Sequence, residues 1–158
     1  MKKCIFPYIM VFYFCFLFSL APQAISPTAK MAEDLCKAIP TEFGYIDNTE
    51  YHRQCYFKEL PFVDDCCIMI NADSTNFNEI GIFHVKNKRD AKLCEKQVAQ
   101  YLTDMRDRFM NGVIYDIDEY PKFENATTVT INDFVFYVIL SPEQKAAALT
   151  VIQTMVKE

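Results

Sequence analysis

Carboxylates and thiols are the residues of this chain with the most chemistry to offer. Asp116, Asp118 and Glu119 share one short segment, and Asp64-Asp65 form a second acidic pair. Neighbouring carboxylates divide acid and base roles when their surroundings push their pKa values apart, so a hydrolase using the first group is one reading. Neither group has an apolar pocket evident around it, and loop carboxylates of an acidic protein are ordinarily just solvated. Cys36, Cys55, Cys66, Cys67 and Cys94 lie beyond the first 26 residues. A thiol-redox reading would rest on Cys66 or Cys67, yet no C-x-x-C pair exists. Neighbours on a strand point to opposite faces, which makes Cys66 and Cys67 poor partners for one metal. Cys36 and Cys94 fall on helix faces read as core, where cysteine acts as a small hydrophobe, although an exported context also permits one or two disulfides among the five.

Metal spacing is equally thin. His52 and Cys55 stand three apart, but a zinc site wants a second such pair, and the other histidine, His84, is alone on a strand. Asn71, Asp73, Thr75, Asn76, Asn78 and Glu79 make an oxygen-rich loop. It lacks the glycine and the closing bidentate glutamate of the helix-loop-helix calcium site, and turn-forming side chains explain it better. Nucleophile serines, phosphate-cradling glycine loops and dinucleotide fingerprints are missing from a chain with three glycines. No catalytic, cofactor-binding or metal-binding residue is therefore assigned, and no cofactor is expected.

The elements that would position such residues are plainer. Asn87 to Gly112 reads as one long amphipathic helix, capped by Asn87 with Asp90 three residues on. Ala91, Cys94, Val98, Tyr101, Leu102, Met105 and Phe109 recur at spacings of three and four and share a face. Asn111-Gly112 supplies a left-handed stop. At about 1.5 Å per residue the helix would be ~35 Å long, enough to cross a small sheet. Cys66 to Ile70 and Ile80 to Val85 predict one hairpin. Thr127 to Ile131, the turn dipeptide Asn132-Asp133 and Phe134 to Leu140 predict another. Ser26-Pro27 and Ser141-Pro142-Glu143-Gln144 carry cap-then-proline signals for helices before and after. Thr41 to Phe62 has only scattered aromatics and reads as irregular. The order helix, hairpin, long helix, hairpin, helix predicts an α+β fold: a four-stranded antiparallel sheet with helices mainly on one face.

Met1 to Ser26 has the parts of an export signal or membrane anchor. Lys2 and Lys3 precede sixteen uncharged residues, Ile5 to Leu20, and Ala21-Pro22-Gln23-Ala24-Ile25-Ser26 follows. Cys4 and Cys15 lack the small residues that precede a lipid-attachment cysteine. Residues 27–158 then form a single domain, either secreted or held by this segment, which is the chain's expected membrane contact. The net charge is −5 overall and −7 without the leader, from 14 basic and 21 acidic residues. A phosphate backbone needs a concentrated positive field, so nucleic acid is not an expected partner.

Four features together carry a family resemblance. They are Asn78-Glu79-Ile80-Gly81-Ile82-Phe83, the long charged helix ending near Phe109, Tyr120-Pro121-Lys122-Phe123-Glu124-Asn125-Ala126, and the valine-rich last strand after a tight turn. From Asn78 to Leu140 the chain resembles the family described as domain of unknown function 4358, found in exported proteins of Gram-positive bacteria. It departs in having no lipid-attachment cysteine and in placing Asn132-Asp133 where members often have a glycine. The resemblance implies an extracytoplasmic location and transfers no active site. The functional expectation is a small envelope-associated or secreted binding module, its partner another envelope or surface protein.

Overall fold

Two strands of this chain have no polar face, and the architecture follows from covering them on both sides. The computed structural model describes residues 25–112 and 117–155. Its elements run α1 (Pro27–Ala38), β1 (Tyr45–Asp47), α2 (Thr49–Cys55), β2 (Val63–Asn71), β3 (Glu79–Val85) and α3 (Ala91–Met110). A 3-10 turn (Ile117–Glu119), α4 (Tyr120–Glu124), β4 (Thr127–Ile131), β5 (Phe134–Ile139) and α5 (Pro142–Met155) follow. The strands form one antiparallel sheet in the order β1-β2-β3-β5-β4.

The fold is α+β as expected, but the sheet has five strands, not four. The added strand, β1, and helix α2 both lie in the stretch read as irregular. β1 is three residues long and pairs Tyr45, Ile46 and Asp47 with Asn71, Ile70 and Met69. A strand this short has no periodicity of its own; the open edge of β2 supplies its hydrogen-bond partners.

Helices cover both faces of the sheet, not mainly one. β3 and β5 turn Ile80, Ile82, Phe136 and Val138 to one side and Phe83, Val135 and Tyr137 to the other. α1 and α5 bury Ala32, Leu35, Ala148 and Ile152 against the first side. α3 buries Ala91, Cys94, Val98 and Tyr101 against the second. An apolar strand face left in water would forfeit about 25 cal/mol per Å², so a strand without a polar side demands a layer on each.

α3 begins at Ala91, four residues after the expected cap. Asn87 closes a turn instead: Asp90 N–H donates to its carbonyl at 2.9 Å, and its amide donates to the Asp90 carboxylate at 2.7 Å. With 20 residues the helix is ~30 Å long. It stops where expected, with Gly112 at φ 77. The other caps also form as expected. Ser26 Oγ accepts from Ala29 N–H at 3.3 Å. Ser141 and Gln144 each accept from the other's backbone N–H, a reciprocal capping box. Residues 1–24, which hold nearly all of the expected export signal, lie outside the described residues, as does Asp116. Among the described residues no helix is long and apolar enough to cross a membrane.

Candidate functional site

A carboxylate at the start of a buried strand must find partners inside the protein, and Glu79 finds them on three other elements. Tyr137, on β5, lies opposite Gly81 on β3. A Cβ at Gly81 would fall 1.9 Å from Tyr137 Cε1, so only glycine lets the ring lie flat along the strand. From there the Tyr137 hydroxyl donates to Glu79 Oε1 at 2.5 Å. Tyr101, midway along α3, donates to the same oxygen at 2.8 Å. His52, on α2, brings Nε2 to 3.4 Å from Glu79 Oε2 and 3.2 Å from the Tyr101 oxygen. All of these side chains are deeply buried: His52 is 4% exposed, Glu79 7%, Tyr101 5% and Tyr137 1%.

The protons can be placed by counting donors. His52 Nδ1 lies 3.0 Å from the Asn48 carbonyl, which only accepts, so Nδ1 carries a hydrogen. Tyr101 and Tyr137 each spend their single hydrogen on Glu79. Nε2 of His52 then faces two oxygens that accept, and a second proton satisfies it. Burial works against that charge, but the hydrogen bond and charge of Glu79 outweigh it, and the His52 pKa is raised above its ordinary value. Burial, and then the charge of Glu79, hold both phenols far above the ordinary tyrosine value, so they stay donors. The result is a His52–Glu79 pair inside the protein that favours the protonated imidazole.

His52, Glu79 and Tyr101 of this network line a cleft of about 260 Å³ between α2, the end of β2, the β2–β3 loop and α3; Tyr137 is not part of its lining. Tyr51, Tyr56, Ile70, Asp73, Phe77 and Met105 are among its walls. Tyr51 is 53% exposed at its mouth. The loop is built from its own side chains. Asn71 Oδ1 accepts from Asp73 N–H, Asp73 Oδ1 from Thr75 N–H, and Asn76 Oδ1 from Asn78 N–H, at 2.7, 2.9 and 3.0 Å. Those are successive turns closed by an Asn or Asp oxygen, so the oxygen-rich loop folds on itself. Among the described residues no group of three His, Cys, Asp or Glu is placed to hold a metal ion.

The carboxylates and thiols singled out from the sequence lie elsewhere. Asp118 is exposed beside the break in the described chain. Glu119 Oε2 accepts from Phe77 N–H at 2.8 Å and from Lys122 Nζ at 2.5 Å, which ties the 3-10 turn to the β2–β3 loop. Asp65 accepts from the hydroxyl and N–H of Thr28 at 2.7 and 3.2 Å, holding the first turn of α1, where the helix dipole favours an anion. Cys67 packs in the core under α1 and α5, and Cys66 against the core under α3, on opposite faces. Burial raises both thiols, Cys67 to about 12. His52 points into the protein while Cys55 is exposed.

Residues 59–140 match the family described as domain of unknown function 4358. The chain belongs to the DUF4358 family. Neither the curated proteins nor the solved structures include a match. The DUF4358 match takes in Glu79, Tyr101 and Tyr137 but stops short of His52. In the sequence the four residues stay apart: Glu79 falls with the turn residues before it, Tyr101 on a core face, Tyr137 in the strand after the Asn132-Asp133 turn, and His52 beside Cys55. The signal available was a glutamate heading a strand with two apolar faces, since such a carboxylate requires donors from the layer above it.

Proposed function

We propose that this chain is an exported binding module whose ligand enters the cleft lined by His52, Glu79 and Tyr101. The observation that carries this is the buried ionisable network at the cleft floor. Replacing a buried ion pair with well-packed apolar groups is often neutral or stabilising, so folding alone does not call for one. Titratable groups gathered at the base of a cleft are the ordinary mark of a functional site. Export is supported by Lys2 and Lys3 ahead of an uncharged run. On this reading the ligand is an envelope or cell-surface component, and membrane contact is through the N-terminal segment. The acidic balance argues against nucleic acid. Small-fragment mixtures titrated into the labelled full chain test the proposal by NMR. Fragments that move the Tyr51, His52 and Met105 signals together are the expected result. Hits scattered over the surface, or none at millimolar concentration, would overturn it.

A further inference from the structure

The cleft's walls are specific enough to name a class of ligand. Resting on the binding reading above, we propose that the cleft takes an organic ammonium group, held against aromatic rings and between the carboxylates of Asp73 and Glu79. Its lining contains those two acids, His52, and no lysine or arginine. Tyr51, Tyr56, Phe77 and Phe123 add ring surface, and a cation within about 6 Å of a ring centroid is attracted by its quadrupole. Tyr56 is engaged already, with the Arg108 guanidinium 5.3 Å from its centroid, which leaves Tyr51, Phe77 and Phe123 as the rings for the ligand. Lys122, the nearest lysine below the loop, is spent on Glu119 and Asn76.

The side-chain oxygens of Asn71 and Asn76 are turned onto their own loop, whereas that of Asn78, also in the lining, is buried with no hydrogen-bond partner among the described residues and can accept an N–H of the ligand. Asp73 remains a charged group at the wall, because the N–H and hydroxyl of Thr75 hold its pKa below the ordinary value. The size agrees. About 260 Å³ is just under the roughly 300–1,000 Å³ of sites that enclose a drug-sized molecule, and suits a head group.

His52 makes the binding proton-linked. Facing it are Glu79 from β3 and Tyr101 from α3, with Tyr137 of β5 reached through Glu79. Tyr51 and Tyr56 flank its ring, and Asp73 lies on the opposite wall. When His52 is protonated it supplies the positive charge beside Glu79. When it loses that proton, Glu79 is left for the ligand's cation, so affinity rises with pH through the His52 titration.

The test compares four probes by NMR titration of the full chain: choline, its neutral isostere 3,3-dimethylbutan-1-ol, the anion 3,3-dimethylbutyrate, and N-acetyl-lysine methylamide. One of the two ammonium probes is expected to bind in the cleft at least about tenfold more tightly than the neutral and anionic ones. Which of the two it is identifies a quaternary or a primary ammonium, and either supports the proposal. Its affinity should rise several-fold from about pH 5.5 to about pH 8. Tyr51→Ala, at an exposed side chain that leaves the fold intact, should weaken it about fivefold. A neutral or anionic probe binding there as tightly overturns the ammonium class and leaves the cleft as a binding site. Four silent probes also overturn the class, and the fragment screen then decides separately whether the cleft binds anything.

Discussion

His52 and Glu79 pair inside the protein, and the pair has a pH signature. The His52 pKa is raised in the folded chain above its ordinary value of 6.5. The stability it contributes is therefore fully present below about pH 6.5 and is lost as pH rises through the folded value. An imidazole proton titration should give a midpoint above 6.5, with urea midpoints declining over the same interval. A midpoint below 6.5 would contradict the pairing. The thiols behave oppositely, as small apolar groups. Burial raises Cys36 to about 11 and Cys67 and Cys94 to about 12, whereas Cys55 is exposed. Among these, a thiol reagent at about pH 8 should label Cys55 in the native chain and reach Cys67 and Cys94 only on unfolding. Peptide mapping of the labelled sites checks this.

At the scale of elements, the β3–β5 pair is the part that cannot vary. Gly81 is required by an approach and not by a turn, since its missing Cβ is the space that the Tyr137 ring occupies. Gly81→Ala must push the ring off the strand, which should cost about 3 kcal/mol by urea unfolding and release the Tyr137 bond to Glu79. Ordinary behaviour of this variant would mean that the ring has somewhere else to go. Some helix ends, by contrast, are held by local chemistry. The Ser141–Gln144 capping box starts α5, and Gly112 stops α3. These are the features most easily read in advance, because each depends on residues within four positions of one another. The late start of α3 belongs to the same scale: Asn87 and Asp90 satisfy each other in a turn, so the expected cap is consumed before the helix begins.

Across the whole molecule, one sheet serves two cores. Leu35 is buried under one face and Val98 under the other, yet both rest on the same strands. Leu35→Ala should cost about 3 kcal/mol and Val98→Ala about 2 kcal/mol. Because the sites share no contact, the double variant should lose about the sum. It should still unfold in a single transition, with secondary-structure and aromatic circular dichroism coinciding. Separate transitions would show that the layers are independent units.

Caps and periodicity by themselves determined the long elements of this protein but not β1 and α2, because a cap or an amphipathic face is settled by residues close together in the chain and a three-residue strand has neither. The apolar runs Ile80 to Phe83 and Phe134 to Leu140 also carry a need for cover on both faces, which the one-sided arrangement expected from element order leaves out. Only the tertiary structure decided the site. Glu79, His52, Tyr101 and Tyr137 stand up to 85 residues apart, and each looks ordinary among its own neighbours. What unites them is a buried carboxylate collecting the donors that the packing of α2, α3 and β5 brings within reach, a condition of three-dimensional satisfaction that no local spacing encodes.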